Sequence, residues 1–81
     1  MNLRSVFASN LKRCRRAKGL SQEALADAAE IDRTYVSALE REIYSASLDT
    51  IEKIATALEV PPHQLLGGVP ANGTEFEAPK K

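Results

Sequence analysis

The chain has 81 residues, of which 11 are Lys or Arg and 11 are Asp or Glu, so its formal net charge at pH 7 is zero. That length allows one small domain, while a single cysteine and a single histidine exclude an internal disulfide framework and argue against a His/Cys zinc site. Since no apolar run approaches the ~18 residues of a membrane span and the N-terminus lacks a signal-peptide core, we expect a soluble, cytoplasmic protein without a membrane partner.

The first predicted helix covers about residues 3–18. Its apolar residues recur at spacings of four, four and three, at Leu3, Phe7, Leu11 and Cys14. Because Cys14 belongs to this stripe, we expect a buried small hydrophobe rather than a reactive thiol. Gly19 follows the helix, and glycine readily adopts the left-handed conformation that ends one.

Capping residues predict three further helices, which begin at Ser21, Asp32 and Ser47. The positions expected to face inward are Leu25, Ala28 and Ala29 in the second helix, Val36 and Leu39 in the third, and Leu48, Ile51, Ile54, Ala55 and Leu58 in the fourth. Pro62 fits the first turn of a short fifth helix. Strand signals are absent, so the sequence predicts an all-α bundle of four to five short helices.

Glycine and proline concentrate at the C-terminus. Three of the four glycines and two of the four prolines fall in the last 15 residues, GGVPANGTEFEAPKK. That segment has no apolar period, whereas the preceding residues contain regular ones. We therefore expect a folded domain over residues 1–66 and a flexible tail over residues 67–81.

Cations and acids are separated along the chain although their numbers cancel. Residues 1–20 hold six cations and no acid, and residues 21–30 hold three acids and no cation. A chain of this kind can present a basic face. We expect most of the early cations to form a solvated face that contributes long-range attraction only, namely Arg4, Lys12, Arg13, Arg16 and Lys18.

Nothing in the sequence supports catalysis. The chain lacks a recognisable nucleophile–base pair, a glycine-rich phosphate loop and any spacing typical of metal ligands. We therefore expect no enzyme activity, no cofactor and no metal.

Residues 21–41, SQEALADAAEIDRTYVSALER, predict two short helices that are separated by residues 29–31 only. The outward face of the second helix would hold Arg33, Thr34, Ser37 and Arg41, with Tyr35 at its edge. An α-helix fits the major groove of B-DNA, and Arg, Thr and Ser side chains can bond base edges there. This pattern points to double-stranded DNA as the partner.

The sequence FASNLKRCRRAKGLSQEALADAAEIDRTYVSALERE, followed by SLDTIEKIATALEV and PPHQLLG, resembles the Cro/repressor-type helix-turn-helix family, the lambda-repressor-like group. The resemblance covers about residues 3–67, and DRTY is similar to controller proteins of restriction–modification systems. It implies a transcriptional regulator that binds palindromic operator DNA as a homodimer. The end of the fourth helix and the fifth helix would form the dimer surface, with Val60, His63, Leu65 and Leu66.

The resemblance also implies which residues contact DNA. Ser21 and Gln22, at the start of the second helix, would bind a phosphate, and Tyr35 would reach the backbone unless it is a core aromatic. The recognition helix would direct Arg33 and Thr34 to base edges, with Ser37 and Ala38 one turn later on the same face. Further along the same DNA strand, the backbone would be contacted by Arg41, Ser45 and Ser47. Arg15 and Glu40 occupy the positions of a partly buried ion pair.

Two glutamates depart from the family pattern. Glu30 stands where the family usually has glycine in the motif turn, and Glu42 stands where it often has glycine after the recognition helix. A left-handed residue other than glycine costs on the order of 1 kcal/mol. The resemblance therefore does not fix the shape of this turn or of the following loop, REIYSAS.

Several hypotheses of function remain open. An autoregulatory controller of a restriction–modification operon fits best, followed by a phage-type repressor. An antitoxin would use the tail or another surface to bind a toxin. A protein-interaction module of the coactivator kind would share the fold without reading an operator.

Overall fold

A computed structural model of the chain describes residues 2–67, and these contain five helices and no strand. The helices are α1 (Leu3–Ala17), α2 (Gln22–Ala29), α3 (Arg33–Glu40), α4 (Leu48–Leu58) and α5 (Pro62–Leu66). The all-α prediction is therefore confirmed. Apart from Gly67, the predicted tail lies outside the described residues. None of the helices within residues 2–67 combines the length and apolar character that a membrane crossing requires.

Four helices begin at a side-chain cap, as predicted for α2, α3 and α4. The Ser21 hydroxyl accepts a hydrogen bond from the Ala24 N–H, and the Asp32 carboxylate accepts one from the Thr34 N–H. Ser47 caps α4 in the same way, and Asn2, which the sequence did not single out, caps α1. Each such cap satisfies a backbone donor that the helix leaves free and is worth about 1 kcal/mol.

Four helix ends pass through a left-handed residue. These residues are Gly19, Glu30, Glu42 and Glu59, with φ of 77°, 60°, 65° and 61°. In each case the next N–H reaches back five residues to a helix carbonyl, as from Ile31 to Ala26, which is the bonding of a Schellman end. The left-handed turn expected at residue 30 is confirmed although the residue is glutamate. Glu42 adopts it as well.

The core lies between all five helices. Leu11, Leu25, Val36, Ile54 and Leu65 have no exposed surface. Complete burial of Leu65 corrects its assignment to the dimer surface, since α5 uses it to pack on the domain. Cys14 is half-buried at the edge of this core, against which it packs.

Three residues predicted to face inward are exposed. Leu3 and Leu48 begin their helices and project beyond the packed body, with 59% and 80% of their surface exposed. In α2 the buried residues are Leu25, Ala26 and Ala29, so the inward face is rotated and Ala28 lies in solvent.

A buried asparagine fastens α5 to α1. Asn10 is 4% exposed, and its amide nitrogen donates to the carbonyl oxygens of Leu65 and Gly67 at 2.9 and 2.8 Å. Arg13 donates to its side-chain oxygen. With donors and acceptor all satisfied, the amide can be buried at little cost.

Candidate nucleic-acid interface

The α2–α3 pair forms a helix-turn-helix. Glu30 ends α2 in the left-handed conformation, Ile31 packs partly buried against the core, and Asp32 caps α3. The turn has the predicted length of three residues but lies one residue later than predicted, because Ala29 is the last residue of α2 and the turn consists of residues 30–32.

The first turn of α3 presents polar side chains to solvent. Arg33 and Thr34 are exposed there, Ser37 is half-buried one turn later, and Arg41 is exposed just beyond the helix. Arg41 Nε donates to the Ser37 carbonyl oxygen at 3.4 Å. The structure therefore brings these four predicted residues onto one outward face.

Ala38 does not belong to this face. It is 4% exposed, and its neighbours Val36 and Leu39 are buried in the core. Adjacent helix positions are about 100° apart, which turns the Ala38 side chain into the domain while Ser37 stays at the surface. The predicted DNA contact by Ala38 is therefore corrected to a packing role.

Tyr35 lies between the core and the surface. It is half-buried and packs against the core, and its ring centroid is 6.2 Å from that of Tyr44 at an interplanar angle of 54°. Such a tilted arrangement is favourable for aromatic pairs. Tyr35 is thus a partial core residue whose partner, Tyr44, comes from the loop after α3.

The last turn of α3 is held by a buried ion pair. Arg15 Nε lies 2.6 Å from Glu40 Oε2, and Arg15 Nη2 donates to Oε1 at 3.0 Å. The two side chains are 10% and 3% exposed. The pairing that the resemblance implied is confirmed, and its bidentate geometry joins α1 to α3.

Gln22 completes this cluster from the start of α2. Its Nε2 donates to Glu40 Oε1 at 3.1 Å. An amide nitrogen has two N–H donors, so one remains for an anion at the N-terminus of α2. Ser21 already uses its hydroxyl oxygen to cap that helix.

Electrostatics keep Glu40 ionised. Burial raises the pKa of this carboxyl, but hydrogen bonds from Arg15 and Gln22 and the charges of Arg15 and Lys12 lower it further, so the net shift is downward. The hydrogen bond to Glu40 raises the pKa of Arg15 against the opposing effect of burial. The pair therefore stays charged at neutral pH.

The loop between α3 and α4 contains the remaining predicted contacts. Ser45 is exposed, and its hydroxyl accepts a hydrogen bond from Arg4 Nε at 3.0 Å. Ser47 is exposed, but its hydroxyl caps α4 and donates to Thr50. The contact between Arg4 and Ser45 was not foreseen, because 41 residues separate them in the sequence.

Comparison with known proteins gives a consistent family. Residues 11–65 match the helix-turn-helix family HTH_3. A hypothetical transcription factor of Neisseria meningitidis is 51% identical over 65 residues, which cover 80% of this chain and 61% of that protein's length. The control protein C.BamHI of Bacillus amyloliquefaciens is 44% identical over 66 residues, covering 80% of this chain and 82% of that one.

The fold agrees with this relationship. The crystal structure of the restriction–modification controller protein C.AhdI from Aeromonas hydrophila is similar with a TM-score of 0.75 and 45% identity. The match covers 76% of this chain and 94% of that one. Together with the α2–α3 geometry, these similarities show that the chain belongs to the helix-turn-helix family of DNA-binding transcriptional regulators.

Proposed function

We propose that the chain is an autoregulatory controller that binds palindromic operator DNA as a homodimer. The observation that supports this most is the exposed first turn of α3, where Arg33 and Thr34 stand free of the core. The controller proteins named above support the regulatory role, because the matches cover most of their length. A cytoplasmic location follows from the proposal.

Base recognition is assigned to the first turn of α3. Arg33 can bond a guanine through two donors, and the hydroxyl and methyl groups of Thr34 can meet several base edges. Ser37 would contribute one turn later. These are the residues on which operator sequence would depend.

Backbone contacts are assigned to the surrounding elements. Gln22 would bind a phosphate with its second N–H, helped by the positive end of α2, where Ser21 would act through its cap. Tyr35 and Arg41 would contact the backbone beside α3, and Ser45 and Ser47 would do so from the loop. Such contacts fix the register of the protein on the duplex.

Dimerisation is assigned to the end of α4 and to α5. Val60 and Leu66 are half-buried and His63 is exposed. A second subunit could therefore contact these residues, unlike the buried Leu65. A single module of this kind buries little DNA surface, and a two-fold dimer would double the contact over half-sites about one turn apart.

Substitution of Arg33 tests the function. Fragments bound by the wild-type protein are first selected from the genomic DNA of its source, and the enriched duplex then serves as the probe. Arg33→Ala should weaken binding by roughly 1–3 kcal/mol and relax sequence preference, while the circular dichroism spectrum stays unchanged. Arg33→Lys, which keeps the charge, controls for simple electrostatic attraction.

Failure to enrich any fragment would contradict operator binding and favour an interaction module. The neighbouring reading frame then separates the regulatory classes. A restriction enzyme or methyltransferase gene supports the controller, a phage gene favours a phage-type repressor, and a toxin gene favours the antitoxin hypothesis.

A further inference from the structure

The loop after the recognition helix has no cation of its own beyond Arg41, which directly follows α3. Residues 42–47 contain Glu42 and no Lys or Arg, and the first turn of α4 adds Asp49. A protein segment that lies along the DNA backbone meets a row of phosphates, and Lys and Arg side chains provide most of the compensating charge. If this loop contacts DNA, Arg41 can supply a cation at its beginning, and a cation for the residues that follow must come from another element.

The first turn of α1 places such a cation on the loop. Arg4 Nε donates to Ser45 Oγ at 3.0 Å, and the adjacent Ser5 hydroxyl donates to Glu42 Oε1 at 2.7 Å. These two hydrogen bonds connect α1 to both ends of the segment from residue 42 to residue 45.

Packing beneath this contact is loose. A surface cavity of about 120 Å³ lies beneath Arg4 and Ser45, with Leu3, Phe7 and Ile51 among its apolar walls. Ala46 packs against the core beside this cavity, so the two polar contacts add to that packing and fix the Arg4 side chain against the loop.

The guanidinium of Arg4 has further hydrogen-bond donors besides the one that binds Ser45. Arginine has five N–H donors, and the bond to Ser45 uses the one on Nε. The side chain is exposed, so its two terminal nitrogens can bind an anion while Nε keeps its bond to Ser45. This planar fork matches the geometry of a phosphate group.

We propose that Arg4 is a phosphate contact of the DNA interface, supplied by α1 to the α3–α4 loop and oriented by Ser45. The proposal rests on the operator-binding function proposed above and extends its interface to α1. It differs from the expectation that Arg4 belongs to a solvated face that contributes long-range attraction only. Among the other cations of α1, Lys12, Arg13 and Arg16 line a second groove together with Glu40 and Glu42.

Salt dependence of DNA binding tests the proposal. Affinity for the enriched duplex is measured by fluorescence anisotropy over a series of salt concentrations. Each phosphate contact contributes about 0.9 to the slope of log K against log salt, so Arg4→Ala should reduce the slope by about that amount per protomer in contact. We expect affinity near 0.1 M salt to fall about three- to tenfold.

Lys53→Ala is the matched control. Lys53 is exposed on α4, where it lines a groove with the acids Glu30, Asp49 and Glu52, and its substitution also removes one positive charge. It should leave the slope nearly unchanged. Ser45→Ala keeps the Arg4 charge but removes its hydrogen-bond acceptor, so it should lower affinity less than Arg4→Ala does.

Two outcomes overturn the proposal. Equal slopes for Arg4→Ala, Lys53→Ala and the wild type show that Arg4 binds no phosphate. A fall in melting temperature and affinity with an unchanged slope shows a purely structural role for Arg4. Arg33→Ala on the same duplex separates the two proposals: if it loses binding while Arg4→Ala does not, operator binding stands and the role of Arg4 fails.

Discussion

Within residues 2–67, two ion pairs connect α1 and its C-terminal cap to the rest of the domain, and they have the same distance but differ in burial. Arg15–Glu40 and Lys18–Glu59 both have a nitrogen–oxygen distance of 2.6 Å. The first pair is 10% and 3% exposed, and the second is 35% and 74% exposed. Water and salt screen the exposed pair, whereas the buried one cannot lose a partner without stranding a charge. Distance alone therefore does not rank these contacts.

The buried pair also has more partners. Arg15 donates to Glu40 twice and to the Leu20 carbonyl oxygen, and Gln22 adds another bond to Glu40. The last turn of α3 is thereby tied to α1 and to the first turn of α2. We infer that this cluster fixes the orientation of α3, while the first turn of α3, which is proposed above to read bases, stays exposed.

Removing Glu40 should have the largest effect on stability. Glu40→Ala leaves Arg15 buried without its partner, which typically costs about 3–5 kcal/mol. Since a domain of this size has roughly 3–5 kcal/mol of net stability, the variant should be largely unfolded at room temperature. Circular dichroism with urea titration measures this, and Glu40→Gln serves as the milder variant.

Lys18→Ala is the control for the exposed pair and should leave the urea midpoint unchanged. Equal shifts of the urea midpoint for both substitutions would contradict the larger contribution of the buried pair. So would a Glu40→Ala variant that is as stable as the wild type.

Acid should weaken the domain through Glu40. Its pKa is lowered on folding from an ordinary value of 4.5, so the folded state favours the ionised form. The resulting stability is fully present above the unfolded value and is lost as pH falls through the lower folded value. Below about pH 5, the wild type should therefore lose more unfolding free energy than Glu40→Gln does. Parallel losses in the two proteins would contradict this.

Substitution by glycine at two helix ends should give the smallest changes in stability, and it tests the exposed ion pair separately from the buried one. Glu30 and Glu59 both end a helix with φ near 60°, and Glu59 additionally binds Lys18. Glu30→Gly relieves left-handed strain and should raise the free energy of unfolding by about 0.5–1 kcal/mol, with DNA binding intact. Glu59→Gly should raise the melting temperature as much, because the ion pair that it removes is screened.

Calorimetry on both glycine variants measures the difference between the two sites. Ala28→Gly, at an exposed position inside α2, is the control and should lower the melting temperature. A lower melting temperature for Glu30→Gly would contradict left-handed strain at residue 30. If the melting temperature rises for Glu30→Gly but not for Glu59→Gly, the Lys18–Glu59 pair stabilises the domain.

The helix boundaries could be predicted because they depend on residues that are close together in the sequence. The caps at Ser21, Asp32 and Ser47 and the stop at Gly19 depend on bonds within a few residues, so the sequence specifies them directly. The Arg15–Glu40 pair came from the family resemblance. The exposure of Arg33 and Thr34 was predictable as well, because these residues follow a cap and lie opposite the apolar residues of α3; their contact with DNA stays a prediction.

The errors concern which way a helix face points once its neighbours are present. Ala28, Ala38 and Leu65 are small or apolar residues whose burial depends on packing between helices rather than on spacing within one. The link between Arg4 and Ser45 joins residues from opposite ends of the fold, and no short-range pattern encodes it.

The buried amide of Asn10 has a consequence for how a dimer would measure DNA. Asn10 holds α5, and Arg15 holds α3, only about 7.5 Å further along the same rigid helix. If α5 forms the dimer surface as proposed, α1 would fix the distance between the subunit contact and α3. Such a dimer would tolerate little variation in the spacing of its two half-sites, because neither contact could shift along α1 to compensate.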